Sequence, residues 1–178
     1  MKKTMIPLAA FGLLVLGCDG PNPTTPAVDD VSAGPLFATA NPVVHRASLG
    51  SPDACEAFEL PTGCDANFSL VANQRADGRV TGQWHDQFAR GDGIHVVVDC
   101  LVVVGNQAWV SGVGPMHPFG NEWVTRVADN GRSANDPADQ ISFSIPVGVR
   151  PNGFEVLDCN GQQPFPLLDL AQGQVTVW

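Results

Sequence analysis

The chain has 178 residues, 44% of them hydrophobic, and its 18 acidic residues outnumber the 9 lysines and arginines two to one. That hydrophobic fraction is sufficient for a packed core, whereas the formal net charge of −9 disfavours binding to nucleic acid. The only lysines are Lys2 and Lys3, and tyrosine is absent, which excludes lysine and tyrosine catalysis beyond the first three residues.

The first 18 residues have the pattern of an export signal that ends in a cysteine. Two lysines precede an apolar stretch at residues 6–16, which is too short to span a bilayer. The run LVLGC at residues 14–18 resembles the lipobox of bacterial lipoproteins. The resemblance implies cleavage after Gly17, diacylation of the Cys18 thiol and acylation of the new amino terminus with palmitate-type chains. The alternative is an ordinary signal peptide with an incidental cysteine.

A lipidated Cys18 would place the rest of the chain on a membrane, facing the periplasm or the cell exterior. Several acyl chains together give a stable anchor, which one chain does not. Residues 18–42 contain five prolines and no sustained apolar period, so they are predicted to form an extended tether. The predicted organisation is therefore a signal peptide at 1–17, a tether at 18–42 and a folded domain at 43–178.

Four cysteines remain for the folded domain, and an even number in an exported protein indicates two disulfides. Of the three possible pairings, Cys55–Cys64 and Cys100–Cys159 are favoured. The first pair closes a short loop with turn-forming residues, and the second ties together two distant strands. A zinc site is disfavoured because none of the cysteines has the close pairwise spacing of zinc ligands.

The folded domain is predicted to be all-β: an antiparallel meander of about eight short strands that forms either a small barrel or a two-sheet sandwich. Glycine turns at 77–78 and 105–106 indicate two hairpins, the second pairing Val102 with Trp109 and Leu101 with Val110. The 94–104 segment, apolar on both faces, is predicted to lie mid-sheet with both faces covered. The predicted strands are at residues 68–72, 80–88, 94–104, 107–113, 123–128, 141–147, 154–158 and 174–178.

A second resemblance covers about half of the chain. The pattern GxGIxVxVDCLxVxGNxA at 91–108, with VADNG at 127–131 and DQISF at 139–143, is similar to β-meander modules of secreted bacterial proteins. Those modules are mostly of unknown function. The resemblance therefore implies a β fold and transfers no catalytic residue to this chain.

Two histidines and an aspartate are the candidate catalytic group. If the turn near residue 90 is symmetric, His85 and His95 lie opposite each other on paired strands, and Asp99 follows on the same face as His95. Such a group could bind a metal ion or transfer a proton. The alternative is that both histidines are ordinary surface residues.

Acidic and amide side chains between residues 129 and 139 are the candidate calcium ligands. Their oxygens suit a hard cation, although their spacing does not fit the helix-loop-helix calcium motif. Ordinary turn chemistry accounts for the same residues equally well. The candidates are Asp129, Asn130, Asp136 and Asp139.

These observations leave three hypotheses for function. The first is a non-enzymatic, lipid-anchored envelope domain that binds a small ligand or acts as an accessory subunit beside a protein partner, without a cofactor. The second is a small-barrel isomerase or cyclase that uses His85, His95 and Asp99 inside the barrel. The third is a Ca²⁺-stabilised module. An enclosed pocket containing the three side chains would favour the enzyme, whereas exposure to solvent would argue against it.

Overall fold

The structure is a computed structural model that describes residues 41–52, 67–87, 93–132, 136–170 and 172–178. Within these residues it contains twelve strands and one short turn of 3-10 helix, Cys159–Gly161. The strands are β1 Val43–Pro52, β2 Asn67–Arg75, β3 Val80–Gln87, β4 Ile94–Val104, β5 Gln107–His117, β6 Gly120–Ala128, β7 Gln140–Ile141, β8 Ile145–Pro146, β9 Gly148–Val149, β10 Glu155–Val156, β11 Leu168–Asp169 and β12 Gln174–Val177.

The fold is an all-β antiparallel meander, as predicted. One sheet in the order β11-β7-β6-β5-β4-β3-β2-β1-β12 curls into a half-barrel, and β8 adds to it beside β6. The strands β9 and β10 form a separate two-stranded ribbon. In these ranges no helix is long and apolar enough to cross a membrane.

The concave side of the half-barrel is filled by apolar side chains. Along β2 and β3, buried and accessible residues alternate, as expected for strands with one covered face. The largest fully buried side chain is that of Trp84, which stacks against Phe68 on the neighbouring strand. The other members of this core include Leu49, Leu70, Val96, Leu101, Val110, Val127, Ile141 and Val175.

The predicted central hairpin is confirmed in its register. In the pairing of β4 with β5, Leu101 lies opposite Val110 and Val102 opposite Trp109. The prediction that both faces of β4 are covered is wrong for its first half, because Val97 is 61% exposed on the convex side.

A β-bulge explains why the sequence of β4 looks apolar on both faces. Val98 pairs with Gly112 and Cys100 pairs with Ser111, so Asp99 is an extra residue without a partner. The bulge shifts the inward–outward alternation of β4 by one residue. Val98 and Leu101 therefore both point into the core, although an odd number of positions separates them. A Cβ atom on Gly112 would lie 2.1 Å from the carbonyl oxygen of Val97, so this close approach requires glycine.

The chain between β8 and β11 covers part of the convex face. The indole Nε1 of Trp109 donates to the carbonyl oxygen of Gln163 at 2.8 Å, and Nη1 of Arg126 donates to that of Phe165 at 2.8 Å. The predicted disulfide Cys100–Cys159 is present and ties the 3-10 turn to β4. Together these contacts enclose a second, smaller core that contains Trp109, Val124, Val156, Cys159 and Phe165.

Two parts of the strand prediction were wrong. The strand β1, which pairs with β2 and β12, was not predicted, and neither were the two-residue strands β9 and β11. The predicted single strand at 141–147 is divided into β7 and β8, because the Ser142 hydroxyl accepts the Arg126 backbone N–H at 2.8 Å in place of a ladder carbonyl. Between them, Ser144 bonds to the side chain of Asp86 on β3.

Candidate functional site

The predicted juxtaposition of His85 and His95 is confirmed. They are directly opposite each other in the pairing of β3 with β4, and their ring centroids are 6.1 Å apart with planes at 82°. Both side chains lie on the convex face, since Trp84 and Val96 beside them in sequence point into the core. The hypothesis that they act inside the barrel is therefore wrong.

Asp99 does not join the two histidines in a common site. It is exposed at the bulge of β4, two residues beyond the exposed Val97. Its charge acts instead on Glu122 of β6: burial raises the pKa of Glu122, and the carboxylates of Asp158 and Asp99 raise it further. The three residues proposed as a catalytic group thus separate into a histidine pair and a member of an acidic cluster.

The interior of the half-barrel contains an acid that the sequence analysis did not select. Asp86 is completely buried on β3, on the same face as Trp84, with Phe68 and Ile94 as its cross-strand neighbours. Its Oδ2 atom bonds to the hydroxyl of Ser144. The sequence does contain a signal for Asp86. Residues i and i+2 of a strand share a face, so an inward-facing Trp84 predicts that Asp86 points inward as well.

Burial without an ionic partner sets the protonation of Asp86. Desolvation raises its pKa from 3.8 to about 7, although the bond from Ser144 opposes the shift. In the described part of the chain, Oδ1 of Asp86 and Nε1 of Trp84 have no hydrogen-bond partner. Asp86 is therefore an acid in an apolar core whose charge state changes near neutral pH.

Two of the four candidate calcium ligands, Asp129 and Asp139, use their carboxylate oxygens to accept hydrogen bonds from the backbone. Asp139 accepts hydrogen bonds from the backbone N–H groups of Asn130 at 2.8 Å and Val175 at 2.7 Å. Asp129 accepts from the N–H of Val177 at 3.0 Å. These two carboxylates replace strand carbonyls along the outer edge of β12 and connect it to the β6–β7 side of the sheet.

The remaining two candidates have similar local roles. Asp136 accepts from the backbone N–H of Arg132, and the amide of Asn130 donates to the carbonyl oxygen of Ala138. Among the residues with described positions, no group of three or more His, Cys, Asp or Glu side chains is arranged to hold a metal ion. Asp129 and Asp139 thus connect the two sides of the sheet, whereas these bonds of Asn130 and Asp136 stay within the loop.

Replacing Asp139 with alanine is expected to destabilise the protein by about 3 kcal/mol, because two charge-assisted bonds are lost and the buried N–H of Val175 has no acceptor. Urea denaturation measures this change. The control is Asp169→Ala, an exposed acid on β11, for which we expect less than 1 kcal/mol. A calcium role would be revealed if Ca²⁺ raised the unfolding midpoint of the wild-type chain and not that of Asp139→Ala. We expect Ca²⁺ and chelator to give equal midpoints in both.

An apolar cavity of about 390 Å³ lies outside the sheet, between the β9–β10 ribbon and residues 163–166. Arg150 lies at the wall of this cavity. The Cζ atom of its guanidinium is 4.1 Å from the ring centroid of Phe119, and the guanidinium donates to the carbonyl oxygen of Pro146. Its Nη1 atom has no partner among the described residues. The lining residues are Ile145, Arg150, Phe154, Val156, Gln163, Pro164, Phe165 and Pro166.

No protein-family model, curated protein or solved structure matches the chain. Three of the predicted modification and disulfide residues, Cys18, Cys55 and Cys64, lie outside the described residues.

Proposed function

We propose that this chain is a lipid-anchored domain of the cell envelope that binds a small ligand or a protein partner and performs no catalysis. Its anchor is the lipidated Cys18, and the folded domain is held away from the membrane by the tether at 18–42. The cavity beside Arg150 is its binding site.

The cavity is the observation that carries the binding role. Its volume falls within the range of small-molecule sites, which are mostly apolar with a few polar groups that orient the ligand. Here the apolar wall is formed by Ile145, Val156 and Phe165, and the polar groups are Arg150 and Gln163. Phe154, a lining residue that is 56% exposed, is accessible to an incoming ligand.

The position of the histidines supports binding over catalysis. An isomerase or cyclase of the barrel type would need its acid and base groups inside a cavity that excludes water. In this chain the concave side is occupied by the core around Trp84 and Leu70, and His85 and His95 are on the convex side.

Anchoring is tested by mass spectrometry of the chain isolated from membranes. We expect an amino terminus at Cys18 that carries acyl chains, and metabolic labelling with palmitate that is lost in Cys18→Ala. We also expect no alkylatable thiol at Cys55, Cys64, Cys100 or Cys159. Retention of Met1, or free thiols in freshly isolated protein, would contradict the proposal.

Binding is tested by isolating the full-length protein from membranes in mild detergent and identifying what remains bound. We expect a stoichiometric small molecule or partner whose recovery falls at least tenfold in Phe154→Ala. The matched control is Val149→Ala, a 61% exposed residue of the same ribbon that does not line the cavity. Equal recovery with both variants would reject the cavity as the binding site.

A further inference from the structure

The two histidines form part of a row of three polar side chains across neighbouring strands. Ser69 on β2 lies opposite His85 on β3, which lies opposite His95 on β4. The three residues face an open depression of about 430 Å³ on the convex surface, whose lining is completed by Gln83. The imidazole rings are therefore adjacent to each other and accessible from solvent.

The described residues that flank the pair across the sheet are uncharged, in a strongly acidic protein. The next row across the sheet consists of Val71, Gln83 and Val97. On the other side, Asn67 is paired with Gln87. Within the described ranges, neither imidazole makes a hydrogen bond or an ion pair, so each ring has one nitrogen available to a metal ion.

Directly opposed side chains on antiparallel strands have Cβ atoms about 5 Å apart, a separation at which two imidazoles can reach one metal ion. Two nitrogens bound to one ion at ordinary distances place the ring centres about 5 Å apart. The observed separation is 6.1 Å, and rotation about the side-chain bonds of the exposed His95 can close the difference.

We propose that His85 and His95 bind one divalent late first-row transition metal ion, with Cu²⁺ held most tightly. Imidazole suits Cu²⁺, Ni²⁺ and Zn²⁺, and affinity for such sites peaks at Cu²⁺. Two protein ligands leave the other coordination positions to water, so the ion is exposed and exchangeable. Such a site is suited to capture and release of metal, and it is independent of the cavity beside Arg150.

The test is titration of the full-length, detergent-solubilised chain with Cu²⁺, Ni²⁺ and Zn²⁺ by calorimetry, together with electron paramagnetic resonance of the Cu²⁺ form. We expect one Cu²⁺ per chain and a spectrum with two nitrogen ligands. His85→Ala and His95→Ala should each weaken Cu²⁺ binding at least tenfold. The control, His45→Ala, changes an exposed histidine on β1 and should alter affinity less than twofold.

Circular dichroism of each variant confirms that the sheet is intact before affinities are compared. The proposal is overturned if neither calorimetry nor electron paramagnetic resonance detects Cu²⁺ bound to the wild-type chain when Cu²⁺ is in excess. It is equally overturned if either His85→Ala or His95→Ala binds as the wild type does, or if His45→Ala loses as much affinity as these two.

Discussion

Replacing Asp86 with asparagine is expected to stabilise the protein by about 2–3 kcal/mol at pH 8.5 and to change its stability by less than about 1 kcal/mol at pH 4. The reason is the complete burial of this carboxyl group in the core beside Trp84. Desolvation raises its pKa from 3.8 to about 7, so the folded protein carries an uncompensated buried charge above neutrality.

The direction of the effect follows from the order of the two pKa values of Asp86. Below about pH 4 the carboxyl is protonated in both the folded and the unfolded chain. Between about pH 4 and pH 7 only the unfolded chain releases its proton, so stability falls as pH rises. The loss of stability is complete above the folded-state pKa and amounts to at most about 4 kcal/mol. Each unit of difference between the folded and unfolded pKa values of Asp86 corresponds to about 1.4 kcal/mol.

Asparagine keeps the shape of the side chain and can donate to the Ser144 hydroxyl, but it cannot ionise. Its second amide hydrogen adds a buried donor, which is why the expected gain is smaller than the full 4 kcal/mol. Urea denaturation from pH 4 to pH 8.5 measures the free energy of unfolding of both proteins. Asp169→Asn, which changes an exposed acid on β11, should keep the wild-type slope. If Asp86→Asn keeps that slope as well, Asp86 does not titrate as the structure indicates.

Removing the disulfide by the double replacement Cys100→Ala and Cys159→Ala is expected to lower the free energy of unfolding by about 4 kcal/mol. The two cysteines are 59 residues apart in sequence, and opening a loop of this length increases the entropy of the unfolded chain. Alanine is preferred to serine because Cys159 is completely buried, and a hydroxyl there would need a partner.

The effect of the lost disulfide should be largest in the segment that covers the convex face. Cys159 packs with Trp109, Val124 and Phe165 in the smaller core, while the larger core lies on the other side of the sheet. Hydrogen exchange should therefore accelerate more in residues 155–165 than in β2 and β3. An unchanged urea midpoint in the double variant, or equal acceleration in all strands, would show that the disulfide does not hold this segment in place.

Much of the central sheet was predictable because its signals are local. The glycine turns at 77–78 and 105–106 join strands that alternate clearly, and a two-residue turn determines the register of its hairpin. The turn at 105–106 placed Val102 opposite Trp109, and the assumption of a symmetric turn near residue 90 placed His85 opposite His95, as the structure has them. The strand β1 was missed because its inward side chains are small or polar: Ala47 and Ser51 flank a single leucine, Leu49.

The candidate site was predicted less well than the strands because its chemistry depends on which face of the sheet is concave. Alternation separates the residues of a strand into two sets without showing which set is buried. The histidines were assigned to the interior, which is in fact occupied by Trp84 and Asp86. The bulge at Asp99 made the problem harder, because it reverses the alternation within β4.

The sequence by itself determined the all-β meander and the order and pairing of its central strands, which depend on turns and alternation. The even number of cysteines predicted two disulfides and left three pairings open, and the favoured Cys100–Cys159 bond is the one that the structure shows. Only the tertiary structure decided that Asp86 is buried, that the histidines face solvent and that Asp129 and Asp139 bond the edge of β12. Each of these depends on the curvature of the sheet or on contacts between residues 36 to 58 positions apart, which leave no periodic signal along the chain.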